Sequence, residues 1–252
     1  KQQKYKSALK FYQEAIIALV PTFDDADFTK NPTPNNSLSP SHLLEALNKK
    51  ANVLTQYYAH TKEIQYLETA LETYKIAAQT IHHIYVFEEG LYYKIFKLDD
   101  ALNSYEKGIQ LAFDLYKNKK EEKYLATAFL LAEQRKHSFV LEAMRHDPIE
   151  NFVGLPDDFV EKELQIKVNR NFYRQKLLEH QQLGDFANQS ELKSLEKKIA
   201  TLDKTLTDWI KETKKKYPKY YELKYGNETL SLKKIEAELA KLQDNTALVS
   251  YV

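Results

Sequence analysis

The chain has 252 residues, enough to bury a sizeable apolar core as one or two domains. Lys and Arg number 37 against 36 Asp and Glu, and a formal charge of +1 supplies no global field toward nucleic acid or an anionic membrane. No stretch approaches the roughly 18 apolar residues of a membrane span, and the lack of Cys excludes disulfides, thiolate metal sites and a Cys nucleophile within these residues.

Five Gly and seven Pro suit long uninterrupted helices. Over 4–20, Tyr5, Ala8, Leu9, Tyr12, Ala15, Ile16 and Leu19 recur at a spacing of three to four, which predicts an amphipathic helix. Ala8, Tyr12 and Ala15 form a small–aromatic–small pattern, in which alanines admit a neighbouring helix and the aromatic fills the gap beside it. This pattern resembles the second helix of a tetratricopeptide repeat, with Pro21 near the place where that repeat ends. The resemblance implies that the repeat's first helix is missing and that the chain is cut at its N-terminus. Location is therefore unknown, with the cytoplasm favoured and the periplasm left open.

Residues 24–40 carry Pro, Asn, Asp and Ser and read as a long loop. Ser39 is the expected N-cap and Pro40 the first position of a helix over about 41–60. After a break at His60–Glu63 a second helix is expected over about 64–84, where Ala70, Tyr74 and Ala77 repeat the small–aromatic–small pattern. Leu98–Tyr116 is periodic and carries a third echo, Ala101, Tyr105 and Gly108. A turn at Lys117–Glu122 leads to a helix over Tyr124–Met144. Its opening Tyr124-Leu125-Ala126-Thr127-Ala128 echoes Tyr66-Leu67-Glu68-Thr69-Ala70. Recurring helical units imply a stack in which each buries its apolar face on the next.

Beyond Gly154-Leu155-Pro156 the pattern changes to two long helices, about 157–183 and 188–216, joined at Gly184-Asp185. In the second, Leu192, Leu195, Ile199, Leu202, Leu206 and Trp209 make a heptad seam, which predicts an antiparallel coiled-coil hairpin. Leu164, Val168, Phe172, Leu177 and Leu178 are the expected contacts of the first arm. A short segment, Pro218 to Tyr225, then leads to a helix over 231–243. Leu248–Val252 reads as the first strand of a sheet whose other strands are absent.

Chemistry is sparsely signalled. Glu133/His137 and Glu142/His146 are each four apart, but they lie on opposite sides of a helix and make no common metal site. His82 and His83 point two ways, one buried and one exposed. The basic runs Lys117–Lys120 and Lys214–Lys216 read as solvated helix ends, and no phosphate loop or Ser/His/Asp constellation is visible. No cofactor, metal, nucleic acid or membrane is expected as a ligand. Among the polar residues of 41–60, Asn48, Asn52 and Gln56 are the candidates for contacting a protein or peptide partner. Glu133, Arg135 and Lys136 are the candidates for an inter-domain joint.

Two windows carry a further resemblance. Leu125–Met144, with Ala128-Phe129, Glu133, Lys136 and Leu141, resembles the last repeat helix that precedes CHAT domains. Tyr217–Val252, with Pro218, Tyr220, Ile235, Leu239 and the run Asp244, Thr246, Ala247, Leu248, Val249 and Tyr251, resembles the entry to such a domain, a helix and its first strand. CHAT domains are similar to caspase-like and separase-like cysteine peptidases with a His/Cys dyad. That dyad would lie after Val252.

The resulting expectation is an all-α chain: TPR-like helical-hairpin solenoid over 1–148, antiparallel coiled-coil hairpin over 149–217, and over 218–252 a linker, helix and truncated strand of a missing CHAT domain. By this resemblance the chain is the non-catalytic interaction and regulatory region of a bacterial CHAT protein, holding a downstream peptidase-like domain in cis. The alternative is a structural spacer that forms homo-oligomers through 157–216.

Overall fold

In the computed structural model the described residues are 2–34, 37–89, 98–146, 155–225, 236, 237 and 239–241. All regular structure among them is helical. The order is α1 (Gln2–Leu19), α2 (Pro40–Thr61), α3 (Ile64–Phe87), α4 (Leu98–Lys119), α5 (Glu122–His146), α6 (Asp157–Gln181), a 3-10 turn (Gly184–Phe186), α7 (Gln189–Lys216) and α8 (Pro218–Lys224). The expected strand over 248–252 lies outside the described residues. So does the helix over 231–243 except at 236, 237 and 239–241, where Ala240 N–H donates to Glu236 O at 2.8 Å.

Local chemistry sets the helix ends. Ser39 is the N-cap of α2 and Pro40 opens it, but the Ser39 hydroxyl caps no backbone N–H. Its Oγ instead hydrogen-bonds His42 Nδ1 at 2.7 Å. At the other end Lys62 adopts φ 62° and its N–H returns to Tyr58 O at 2.7 Å, closing the helix with a left-handed residue. Asn188 caps α7 by accepting from Ser190 N and Glu191 N at 3.0 and 3.3 Å. Between α6 and α7 the tight turn needs φ 55°, which Gly184 adopts without Cβ strain. The charge runs sit where the helix dipole favours cations, Lys117 and Lys119 in the last turn of α4 and Lys214–Lys216 in that of α7.

Helices α1 to α5 each pack on the next in order, and α3 also meets α5. The second and third small–aromatic–small triplets explain how closely, whereas in the first Ala8 and Tyr12 are half-buried and Ala15 is exposed. Tyr74 and Tyr105 are buried, as are Ala70, Ala77 and Ala101. A Cβ on Gly108 would lie 2.9 Å from Leu131 Cδ1 and 3.2 Å from Tyr74 Cβ, so the third triplet's small residue lies against the second triplet's aromatic. The two pentapeptide echoes also touch. Tyr124 OH donates to Glu68 Oε1 at 2.5 Å, and Lys119 Nζ donates to the same oxygen at 2.6 Å.

One apolar core runs from Leu9 and Ile16 through Leu47, Tyr74 and Leu115 to Leu206, Trp209, Tyr220 and Tyr225. A smaller cluster joins Leu38 to Leu177, Leu195 and Ile199. Helices α6 and α7 pack side by side in opposite directions, as the pairs Arg174–Asp203 and His180–Glu191 record. The heptad residues Leu195, Ile199, Leu206 and Trp209 face inward and are buried.

The first arm does not behave as its apolar pattern suggests. Leu164, Val168 and Phe172, expected at the hairpin contact, are 45%, 40% and 53% exposed. Leu177 is buried and Leu178 half-buried against the small cluster. The rest of the inward face of α6 is Glu163, Ile166, Lys167, Arg170, Asn171 and Arg174. A helix end that lies against α6 demands hydrogen-bond donors, and that demand turns the helix.

Candidate functional site

An α-helix leaves its last carbonyls without intrahelical donors, and at the end of α3 these are buried in the fold. Helix α6 supplies the missing donors from one face. Lys167 Nζ donates to Val86 O at 2.6 Å, Arg170 Nη2 to Phe87 O at 2.7 Å, and Asn171 Nδ2 to Glu89 O at 3.0 Å. Glu88, 1% exposed, sits between them. Its Oε1 accepts from Arg170 Nη2 at 3.1 Å and Arg174 Nη1 at 3.4 Å, with His83 Nε2 at 3.4 Å. Arg174 also reaches Asp203 of α7 at 3.4 Å. Burial alone would raise the Glu88 carboxyl, but His83, Arg170 and Arg174 outweigh it and hold it at about 2. His83 is pulled down by its burial, against the opposing pull of Glu88.

One turn earlier a second ionic group ties α6 to α8. Glu163 accepts from Tyr220 OH at 2.8 Å and from Tyr225 OH, and pairs with Lys167 and with Lys224 at 3.0 Å. Burial opposes its ionisation, yet Lys167 and Lys224 hold it at about 2. Burial draws Lys167 down to about 8 despite Glu163 beside it. Burial lifts the Tyr225 hydroxyl well above its ordinary value, and Glu163 adds to the rise.

A groove of about 550 Å³ opens between α1, α2 and the C-terminal end of α6. Tyr12 and Ala15 form one wall, His42 and Ala46 a second, and Leu178 and Gln182 the third. Its walls therefore come from both halves of the chain. Alanines on α1 and α2 keep it open, because larger residues there would fill it.

Behind the groove the loop 24–34 is held by two buried side chains. Gln13 Nε2 donates to Asp25 O at 2.7 Å and Asp27 O at 3.0 Å. Lys50 Nζ donates to Gln13 Oε1 at 2.7 Å, Lys30 O at 2.7 Å and Asn31 Oδ1 at 2.9 Å. Burial draws Lys50 down to about 7, while three oxygens match the three N–H bonds of its charged form.

The polar residues of 41–60 separate in the structure. Asn48 is half-buried and its Oδ1 accepts from Ser104 Oγ of α4 at 2.8 Å, whereas Asn52 and Gln56 are exposed. None of the three lines the groove. Glu133 accepts from Lys136 at 2.8 Å within α5, and Arg135 donates to Glu106 of α4 at 3.2 Å. The polar joint between α3 and α6 is a different set of residues. Its signal was present in the sequence as Lys167, Arg170, Asn171 and Arg174 on one helical face, but nothing local says what they meet. His83 is buried as expected of one of the pair, but its neighbour His82 is half-buried rather than exposed and stacks on His137 with ring centroids 5.9 Å apart.

Ser39 and His42 have the spacing of a nucleophile and base, but Ser39 is 0% exposed and no substrate can reach it. Among the described residues no group of three His, Asp or Glu is placed to hold a metal ion, and no helix is long and apolar enough to cross a membrane. Comparison with models of protein families, with curated proteins and with solved structures finds no match for this chain.

Proposed function

We propose that the chain is a non-catalytic interaction module, TPR-like over 1–148, that takes a protein or peptide partner in the groove between α1, α2 and α6. The observation that carries this is the origin of the groove walls, since an occupant touching Ala46 and Leu178 together contacts both the helical stack and the hairpin. Binding there is then coupled to where α6 sits. Stacking of the echoed helices, with Gly108 against Tyr74 and Tyr124 against Glu68, supports the repeat reading. The inward heptad of α7 supports the antiparallel coiled-coil reading of the hairpin. Asn52 and Gln56, exposed on α2, are available to extend the contact.

In the CHAT reading this module positions a peptidase-like domain joined in cis. Its support is the motif resemblance around Leu125–Met144 and Tyr217–Val252. The coding sequence beyond Val252 tests it: a His-Gly turn and a later Cys after a strand are expected, and unrelated sequence leaves only a helical repeat. Peptidase or hydrolase activity in the purified chain would overturn the non-catalytic assignment.

The interaction reading is tested by selecting displayed peptides against the folded chain and against Ala15→Trp, which fills the groove from an exposed position. Binders lost in the variant, with helicity unchanged, are expected. Recovery of no binder, or of binders indifferent to the variant, removes the groove as the site. A second reading, a spacer that self-associates, is favoured by the exposed Leu164, Val168 and Phe172. Sedimentation at high concentration decides it, because a monomer there excludes the dimer.

A further inference from the structure

We infer that α6, α7 and α8 form a unit latched to α3 through Glu88, and that this unit undocks from α1–α3 while the helices on both sides stay folded. The inference goes beyond the interaction reading and stands without it.

The joint between the two parts combines a receptor for charge with apolar core. Lys167, Arg170, Asn171 and Arg174 converge on one carboxylate and three carbonyls at the end of a single helix. Attraction among buried charges is largely offset by the water they gave up. Opening such a joint returns that water, whereas opening an apolar joint regains nothing. The docked state also leaves buried polar atoms without hydrogen-bond partners, among them Arg170 Nε and Asn171 Oδ1. Undocking would hydrate both. Apolar contact crosses the joint as well: Ile166, Leu206, Trp209, Tyr220 and Tyr225 share one core with α1–α5, Phe87 lies 5.9 Å from Tyr225 between centroids, and Leu38 joins the small cluster. These contacts favour the docked state.

The unit has its own means of cohesion. Leu177, Leu195 and Ile199 pack within the hairpin. Phe159 lies 4.8 Å from Trp209 and 4.9 Å from Tyr217, ring to ring, joining α6, α7 and the start of α8. Glu163 binds Tyr220 and Lys224 of α8. On undocking, Leu178 and Gln182 leave the groove wall with α6. Anything held by all three walls therefore stabilises the latched state, and the latch in turn strengthens its binding by the same factor.

The chain has no Cys, so introduced pairs can be spin-labelled without background. Gln79→Cys on α3 with Lys204→Cys on α7 spans the joint, and Asn169→Cys with Lys204→Cys lies within the unit; all three positions are exposed. Pulsed electron-spin distances are compared in the otherwise unaltered full chain and with Glu88→Gln added. The expected result is a longer cross-joint distance whose population rises at least tenfold, while the within-unit distance keeps its single peak. An unchanged cross-joint distance overturns the latch. Broadening of both distances overturns it too, because the joint then belongs to one cooperative core. Asn171→Ala, which removes the donor to the Glu89 carbonyl across the joint, gives a milder second variant in which a smaller shift in the same direction is expected.

Discussion

Arg170 Nη2 donates to Glu88 Oε1 across 3.1 Å, joining side chains 82 residues apart in the sequence. Both are almost completely buried, at 3% and 1% exposure. Removing one member of such a group strands the others in low dielectric. Glu88→Ala should cost about 3–5 kcal/mol, because Arg170 and Arg174 lose their shared carboxylate. Replacing Glu88, Arg170 and Arg174 together by Leu or Met should cost much less. Urea unfolding of the single and triple variants measures the difference.

Acid should destabilise the protein in two stages. His82 is drawn down to about 4, first by burial and then by His137 and His83, against 6.5 for the free group. The unfolded chain takes up that proton first, so the contribution is full above pH 6.5 and is lost as pH falls toward 4. Glu88 and Glu163 are held at about 2 against 4.5. Their contribution is full above pH 4.5 and disappears as pH falls toward 2. Calorimetric melting temperatures should fall through both windows, and His82→Asn should shrink the upper one, to which His83 and His137, also drawn down by burial, contribute.

Lys50 should control the loop 24–34. Lys50→Ala strands Gln13 Oε1 and frees the Lys30 carbonyl, while Asn31 keeps only its bond to Thr73, at a cost of about 2–3 kcal/mol for bonds to a charged donor. Limited proteolysis should then cut within 24–34 well before any other site. Equal protection in wild type and variant would show that Gln13 and the Asn31–Thr73 hydrogen bond hold the loop without Lys50.

Gly108→Ala sets two effects of opposite sign against each other. Helix propensity favours Ala by about 1 kcal/mol. The added methyl meets Leu131 Cδ1 at 2.9 Å and Tyr74 Cβ at 3.2 Å, and overpacking of this kind costs about 1–3 kcal/mol. Tyr74 Cβ is tied to the α3 backbone and gives little, so net destabilisation is expected in thermal melts. Stabilisation would mean that α3 and α4 separate freely.

The inversion of α6 predicts unequal responses along the hairpin. Val168→Lys should change stability by less than about 0.5 kcal/mol, as exposed substitutions do. Ile199→Asp puts an unpaired carboxylate among Leu38, Leu177 and Leu195 and should cost more than about 3 kcal/mol. Equal losses at the two positions would place Val168 in a contact outside this fold.

Much of the fold was legible because period and punctuation are local. Pro40 opens α2, the break at His60–Glu63 separates α2 from α3, and Gly184 turns α6 into α7, each close to its predicted place. The seam of α7 was readable because heptad spacing is a property of one helix. The face of α6 was not. Leu164, Val168 and Phe172 offered an apolar stripe, but the carbonyls of Val86, Phe87 and Glu89 made a stronger demand from another part of the chain. The groove was equally hidden, since its walls come from 12–19, 42–49 and 178–182, which share no motif.

The sequence by itself determined that the described residues are helical, close to where their helices begin and end, and which small residues let them approach. Those are matters of backbone preference and side-chain period within a few turns. Only the tertiary structure decided that a charged face of α6 is buried and an apolar one exposed, that Glu88 is the meeting point of two helices, and that Ala46 and Leu178 share a groove. Each depends on what a side chain meets across space, and the free energy of burying a charge is set by partners that local sequence does not name.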